Sequence, residues 1–160
     1  MKKLFLFLLI IITNHPDYTF ASGGTMSGSG TSESPYLIAD YTDLKAIGTG
    51  SYTLDKVYSL SVDIDASASA GENEGAGFNP IGTQTIPFTG KFSGNNHTIS
   101  GLFINRSTTD AVGLFGVIAG SGISVSNLGI TNANITGQNV VGALAGGIYT
   151  GEVSNCYSSG

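Results

Sequence analysis

The chain has 160 residues, of which 41% are hydrophobic and 11% charged, and a formal net charge of −5. This is enough apolar material for one domain with a core. The 24 glycines, about twice the usual share, together with abundant Ser, Thr and Asn, leave little for long helices and point to a β-rich fold.

At the N-terminus Lys2 and Lys3 precede the apolar run LFLFLLIII, residues 4 to 12. That run is too short for a membrane-spanning helix and has the length of a secretory h-region. Residues 1–21 therefore read as a signal peptide, with Thr19 and Ala21 offering a cleavage point. The mature chain is expected to be secreted or held at the cell surface, with no membrane insertion of its own. Removing Lys2, Lys3 and Asp17 leaves Lys45, Lys56, Lys91 and Arg106 against ten acids, a net charge of about −6. Four scattered cations exclude a phosphate-backbone footprint, so no nucleic-acid partner is expected, and anionic membranes are disfavoured likewise. The single cysteine, Cys156, permits no internal disulfide.

Residues 22–34, SGGTMSGSGTSES, are small and polar and read as a flexible leader; the ordered domain is expected over 35–160. Asp40 is a good N-cap, Leu44 and Ile47 share one helical face, and Gly48 suits the position after the last turn, which predicts a short helix capping one end of the fold. Tyr58, Leu60, Val62 and Ile64 then alternate with polar residues, the pattern of one strand with a buried face. A loop follows over residues 66 to 77, and Pro80, Pro87, Gly90 and Gly94 punctuate short extended segments.

Internal repetition is the strongest signal. ISGLFI (99–104) superposes on VSNLGI (125–130) and VSNCYS (153–158), with offsets of 26 and 28 residues, and VGLFG (112–116) recurs as VGALAG (141–146) with one extra residue. Short strands, Gly and Asn at the corners and a period in the twenties predict an all-β solenoid with coils of about 26–29 residues. Ile99, Val125 and Val153 are expected to form one inward stack, and Leu102, Leu128 and Cys156 another, with coils about 4.8 Å apart.

The phrases GSGTSESPYLI, DLKAI, FTGKFSGNNHTISGLFIN, VGLFG, VSNLGITNANITG, VGALAG and VSNCYSSG, in that order over roughly residues 28 to 160, resemble the GLUG-motif repeat region of large secreted bacterial surface proteins. Those proteins include adhesins and the non-catalytic parts of IgA-protease-like enzymes. Gly113, Leu114, Phe115 and Gly116 match the motif itself; the later copy has Ala143 for its first glycine. Asn95-Asn96-His97 resembles a family phrase whose middle residue is glycine, and Asn96 is expected to keep the turn because asparagine tolerates left-handed backbone. The resemblance implies a right-handed parallel β-helix and an adhesive or scaffolding role, and it brings no catalytic residues.

Three groups of residues invite a site reading. His97, flanked by Asn95, Asn96 and Thr98, is read as a corner side chain rather than a catalyst or metal ligand. The other histidine, His15, belongs to the leader region, and the H-E-x-x-H pattern of zinc proteases is absent. Asp63 and Asp65 flank Ile64 on one strand face, with Glu72 and Glu74 nearby, so a calcium site or a glycosidase-like acid pair is conceivable; the favoured reading is solvated or turn-capping charge. Cys156 is read as a buried apolar side chain, and Asn127 and Asn155 as a corner ladder. Asn96, Asn105 and Asn134 begin glycosylation sequons, taken as coincidences of composition.

No catalytic, cofactor-binding or metal-binding residue is therefore assigned, and no cofactor is expected. The expected function is a non-enzymatic module for adhesion, interaction or spacing. Its partners would be a host or neighbouring-cell surface protein or carbohydrate, and further repeats of the same longer chain, since VSNCYSSG stops partway through a coil. Two alternatives stand beside it: an accessory segment of a secreted IgA-protease-like hydrolase, and a self-contained glycan-active β-helix enzyme.

Overall fold

The computed structural model describes residues 25–160, so the expected signal peptide lies outside the described residues. Thirteen short strands follow one another: β1 Tyr36–Ile38, β2 Val57–Leu60, β3 Ile64–Asp65, β4 Lys91–Ser93, β5 Thr98–Ser100, β6 Phe103–Asn105, β7 Phe115–Ile118, β8 Ser124–Ser126, β9 Gly129–Thr131, β10 Asn134–Thr136, β11 Ala145–Ile148, β12 Glu152–Ser154 and β13 Tyr157–Ser159. One helix, α1 Tyr41–Ala46, lies between β1 and β2. The strands stack in parallel into four walls, ordered β1-β2-β4-β8-β12, β3-β5-β9-β13, β6-β10 and β7-β11. This is a parallel β-helix of about three turns.

Each wall contributes an inward column. Tyr36, Tyr58, Phe92, Val125 and Val153 pair in sequence along the first wall, and Ile64, Ile99, Ile130 and Ser158 along the second. Tyr58, Phe92, Val125, Ile64, Ile99 and Ile130 are almost wholly buried. Burying each such side chain contributes roughly 1.5–3 kcal/mol, which a lone coil with one open face cannot collect.

The expected register is half right. Val125 sits under Val153, and Leu128 and Cys156 stand one residue before the paired Gly129 and Tyr157. Ile99, however, pairs with Ile130 rather than Val125, and Leu102 precedes Phe103, whose partner is Asn134, so its counterpart is Ala133 rather than Leu128. The reason is chemical. Two successive corners are turned in the same way, with a left-handed Gly or Asn followed by an inward side chain: Asn127-Leu128 at one corner, Gly101-Leu102 and Asn132-Ala133 at the next. ISGLFI and VSNLGI are therefore different corners of neighbouring coils, and the offset of 26 falls five residues short of the true one. VGLFG and VGALAG do stack, with Val112 on Val141 and Phe115 on Ala145, so the extra residue lies between those pairs.

Coil length also departs from 26–29. It is 34 residues from Tyr58 to Phe92, 33 from Phe92 to Val125 and 28 from Val125 to Val153. The surplus is looped out at corners, where it leaves the stacking untouched. The strand expected from Tyr58 to Ile64 is two strands around such a corner, which leaves Val62 38% exposed.

One end is closed. Asp40 caps α1 by accepting from Asp43 N, Gly48 follows it at φ +91°, and Leu44 and Ile47 are buried. Residues 25–34, expected as flexible leader, instead form an ordered hook: Leu37 N donates to Ser27 O at 2.9 Å, Val57 N to Gly30 O at 3.0 Å, and Met26 is buried. The hook covers the free edge of β1. The other end is open. The strands β10, β11, β12 and β13 are each paired on one side only, and Val140, Val141, Ile148, Tyr149 and Tyr157 are exposed there.

Candidate functional site

Asn95 and Asn96 are both left-handed, at φ +50° and +64°, so asparagine does keep the turn in place of glycine. They are the two extra residues of a corner that β8 and β9 turn without them, and they push His97 outward. His97 N donates to Gly94 O at 2.8 Å, and its Nδ1 lies 3.2 Å from Asp63 Oδ1. Asp63 also accepts from Thr98 N at 2.8 Å. Both side chains face solvent, at 32% exposed for His97 and 71% for Asp63. His97 and Asp63 thus tie β3 to the corner leading into β5, the structural role expected of the histidine.

The acids do not converge. Asp65 accepts from Ser67 N at 2.9 Å and caps the turn after its strand. Glu72 accepts from Tyr41 Oη at 2.8 Å and pairs with Lys45 Nζ at 2.5 Å, which draws it to α1. Glu74 lies at a turn with φ +57°. No group of three metal-ligating side chains gathers among the described residues.

These contacts lower the carboxylates' pKa values. The Thr98 N–H, aided by His97, holds Asp63 below its ordinary 3.8; the Ser67 N–H does the same for Asp65, and the Thr53 hydroxyl for Asp55. Partial burial opposes ionisation of Glu72, but hydrogen bonds from Lys45 and Tyr41 outweigh it and hold the group below 4.5. A folded-state value below the unfolded one gives stability that is complete above the unfolded value and is lost as pH falls through the folded one. The melting temperature should therefore hold steady from neutrality down to about pH 5 and fall progressively below about pH 4. Circular-dichroism melts across that range check it, and a flat profile down to about pH 2 would contradict the assignment.

Cys156 lies on the inward side at the open end, half-buried and packed against the core, with Sγ 3.3 Å from Ser154 O. Asn155 Nδ2 donates to Asn127 Oδ1 at 3.1 Å, which is the expected ladder.

Two surface concavities are larger than the one of about 160 Å³ beside Cys156, Leu144 and Val153. The first, of about 400 Å³, lies along the first wall, where Ser59, Ser93 and Ser126 stack in register and Lys91, Pro35 and the hook residue Ser32 complete the lining. The second, of about 340 Å³, is formed by the segment from Asn79 to Gln84 and the loop from Arg106 to Ala111. There Arg106 Nε donates to Phe78 O at 3.3 Å and its terminal nitrogen donates to Asn79 Oδ1, while Asp110 Oδ1 accepts from Asn139 Nδ2 at 2.9 Å. Arg106, one of the four cations remaining beyond the expected signal peptide, was its only sequence signal; the loops that complete this pocket are joined by stacking rather than by any motif.

No protein-family model matches the chain, and no solved structure matches it. Among curated proteins the chain is similar to a halomucin from Haloquadratum walsbyi, 46% identical over 102 residues, and to a putative Gly-rich membrane protein from Evansella cellulosilytica, 38% identical over 100 residues. The matched segments are 61% and 60% of this chain but span only 1% and 11% of those proteins' lengths. Segments of this β-solenoid sequence thus have counterparts inside much longer polypeptides.

Proposed function

We propose that the chain is a non-enzymatic β-solenoid module of a large exported surface protein of the GLUG-repeat kind, serving contact or spacing at the cell exterior. The observation that carries this reading is the similarity of stretches of this β-solenoid to short segments inside two much longer proteins, a halomucin and a putative Gly-rich membrane protein, which supports a module of a surface protein. The stacked inward columns, which each coil builds with its neighbours, support a spacing or contact role.

The alternatives gain less. Asp63, Asp65 and Glu72 are each engaged in holding a turn or a helix, which supports a structural role over an acid pair. The test uses intact producing cells treated with a membrane-impermeant amine reagent, to which exposed Lys91 and half-buried Lys56 offer targets. Labelling of both lysines before lysis is the expected result; labelling only after lysis overturns the surface reading.

A further inference from the structure

The pocket beside Arg106 has features that corner stacking does not require. Its two faces come from different coils: Asn79 to Gln84 lie in the coil below and Arg106 to Ala111 in the coil above. Both are rigid. Arg106 N donates to Thr136 O and Thr109 N to Arg106 O, each at 2.9 Å, and Thr83 N donates to Ile86 O at 2.8 Å. The guanidinium is fixed on the carbonyl of Phe78 and the amide oxygen of Asn79, so it is oriented before any ligand arrives. Ala111 is held left-handed at φ +57°, a conformation uncommon for a residue with a Cβ, and completes the wall.

The hydrogen-bonding inventory identifies the ligand class. Arg106 uses two of its five N–H donors, and Asp110 uses one carboxylate oxygen on Asn139. The Gln84 amide and Thr109 hydroxyl add donors and acceptors without charge. One cation and one anion balance, so neither an anion nor a metal cation is favoured. A neutral molecule carrying several adjacent hydroxyls, each donating and accepting, meets this mixture, while Pro80 and Ala111 supply apolar surface for C–H faces. About 340 Å³ is at the small end of ligand pockets and suits one or two sugar rings.

From this geometry we infer that the Arg106–Asp110 pocket is a binding site for a neutral mono- or disaccharide unit. The inference rests on the proposed role in surface contact and names the chemistry of one partner. The open pocket and its lack of an aromatic platform set the expected dissociation constant on the order of 1 mM.

The test is an amide-shift titration of the full chain by NMR with galactose, glucose, N-acetylglucosamine and lactose, with glucuronate and inorganic phosphate as charged arms. At least one neutral sugar should move the amides of residues 79 to 84 and 106 to 111 in a saturable way. Gln84→Ala and Asp110→Asn should each weaken that sugar about fivefold or more at an unchanged melting temperature. Asp110→Asn keeps an oxygen for Asn139, so the loop is preserved while the charge is lost. Four outcomes overturn the site: no localised shift with any neutral sugar, tighter binding of phosphate or glucuronate, binding indifferent to both variants, or shifts confined to the serine-lined groove. None of these touches the cell-labelling result, so the pocket and the surface reading fail separately.

Discussion

Phe115→Ala should remove about 3–5 kcal/mol of folding stability, much of what a single domain possesses. The Phe115 ring is fully buried, with ring centroids 4.9 Å from Phe88 and 5.5 Å from Phe92, the latter edge-on at 83°. It thus joins the aromatic column of the first wall to the opposite side of the coil. Truncation leaves a hole that neighbours cannot fill, because the residue stacked on Phe115 in the next coil is Ala145 and the one in the preceding coil, Ile81, is held by its bridge. Urea denaturation measures the loss. Ile86→Ala, at 65% exposed, should change stability by less than about 0.5 kcal/mol in the same assay. A Phe115→Ala penalty below about 1.5 kcal/mol would mean that the interior is not a continuous packed column.

Much of this architecture is legible in the sequence because a solenoid repeats its chemistry along the chain. Val125 over Val153, Leu128 over Cys156 and Val112 over Val141 can be read from letters alone, since these stacked positions share an apolar character. The helix is legible for the same local reasons: Asp40, Leu44, Ile47 and Gly48 each take the place that capping and packing assign them. What misleads is similarity within a coil. Gly101-Leu102 and Asn132-Ala133 solve the same steric problem as Asn127-Leu128, a left-handed residue followed by an inward one, so aligning by likeness slides one corner onto the next. The hook is illegible for the opposite reason. Its Ser and Gly residues carry no apolar pattern, and its order comes from backbone hydrogen bonds to Leu37 and Val57.

The site follows the same division. His97 and Asp63 are close in space because β3 pairs with β5, and the corner reading of His97 needed only its neighbours in sequence. Glu72 was grouped with Asp63 and Asp65 by proximity along the chain, yet the short 3₁₀ turns after β3 carry it to Lys45 and Tyr41. The Arg106 pocket depends on which loops stack, information that resides in coil length. Coil length is the quantity that the shifted register misjudged for the earlier coils.

Gly116→Ala should cost about 3 kcal/mol although it adds a single methyl group. Gly116 lies in β7, its N–H donates to Ile81 O at 3.0 Å, and a Cβ there would stand 2.3 Å from Gly82 O. Backbone cannot swing aside as a side chain can, so the methyl must drive the coils apart or twist β7. Moving β7 away strains its parallel pairing with β11, whose Gly146 is itself so close to Ala111 that a Cβ would lie 2.3 Å from its carbonyl carbon. Glycine is required here for close approach, with no positive φ involved, and the same holds at Gly113, where a Cβ would lie 2.5 Å from Gly142 O. The Gly-Leu-Phe-Gly phrase is accordingly a packing device: two glycines bring neighbouring coils into contact while Leu114 and Phe115, both fully buried, fill the interior. Gly71→Ala provides the contrast, since nothing lies within 4 Å of its Cβ position and its φ is not left-handed; it should fall within about 0.5 kcal/mol of the parent. If urea denaturation gives equal, small penalties for Gly116→Ala and Gly71→Ala, coil spacing on this wall is looser than the backbone contacts require, and the structural account of the phrase fails.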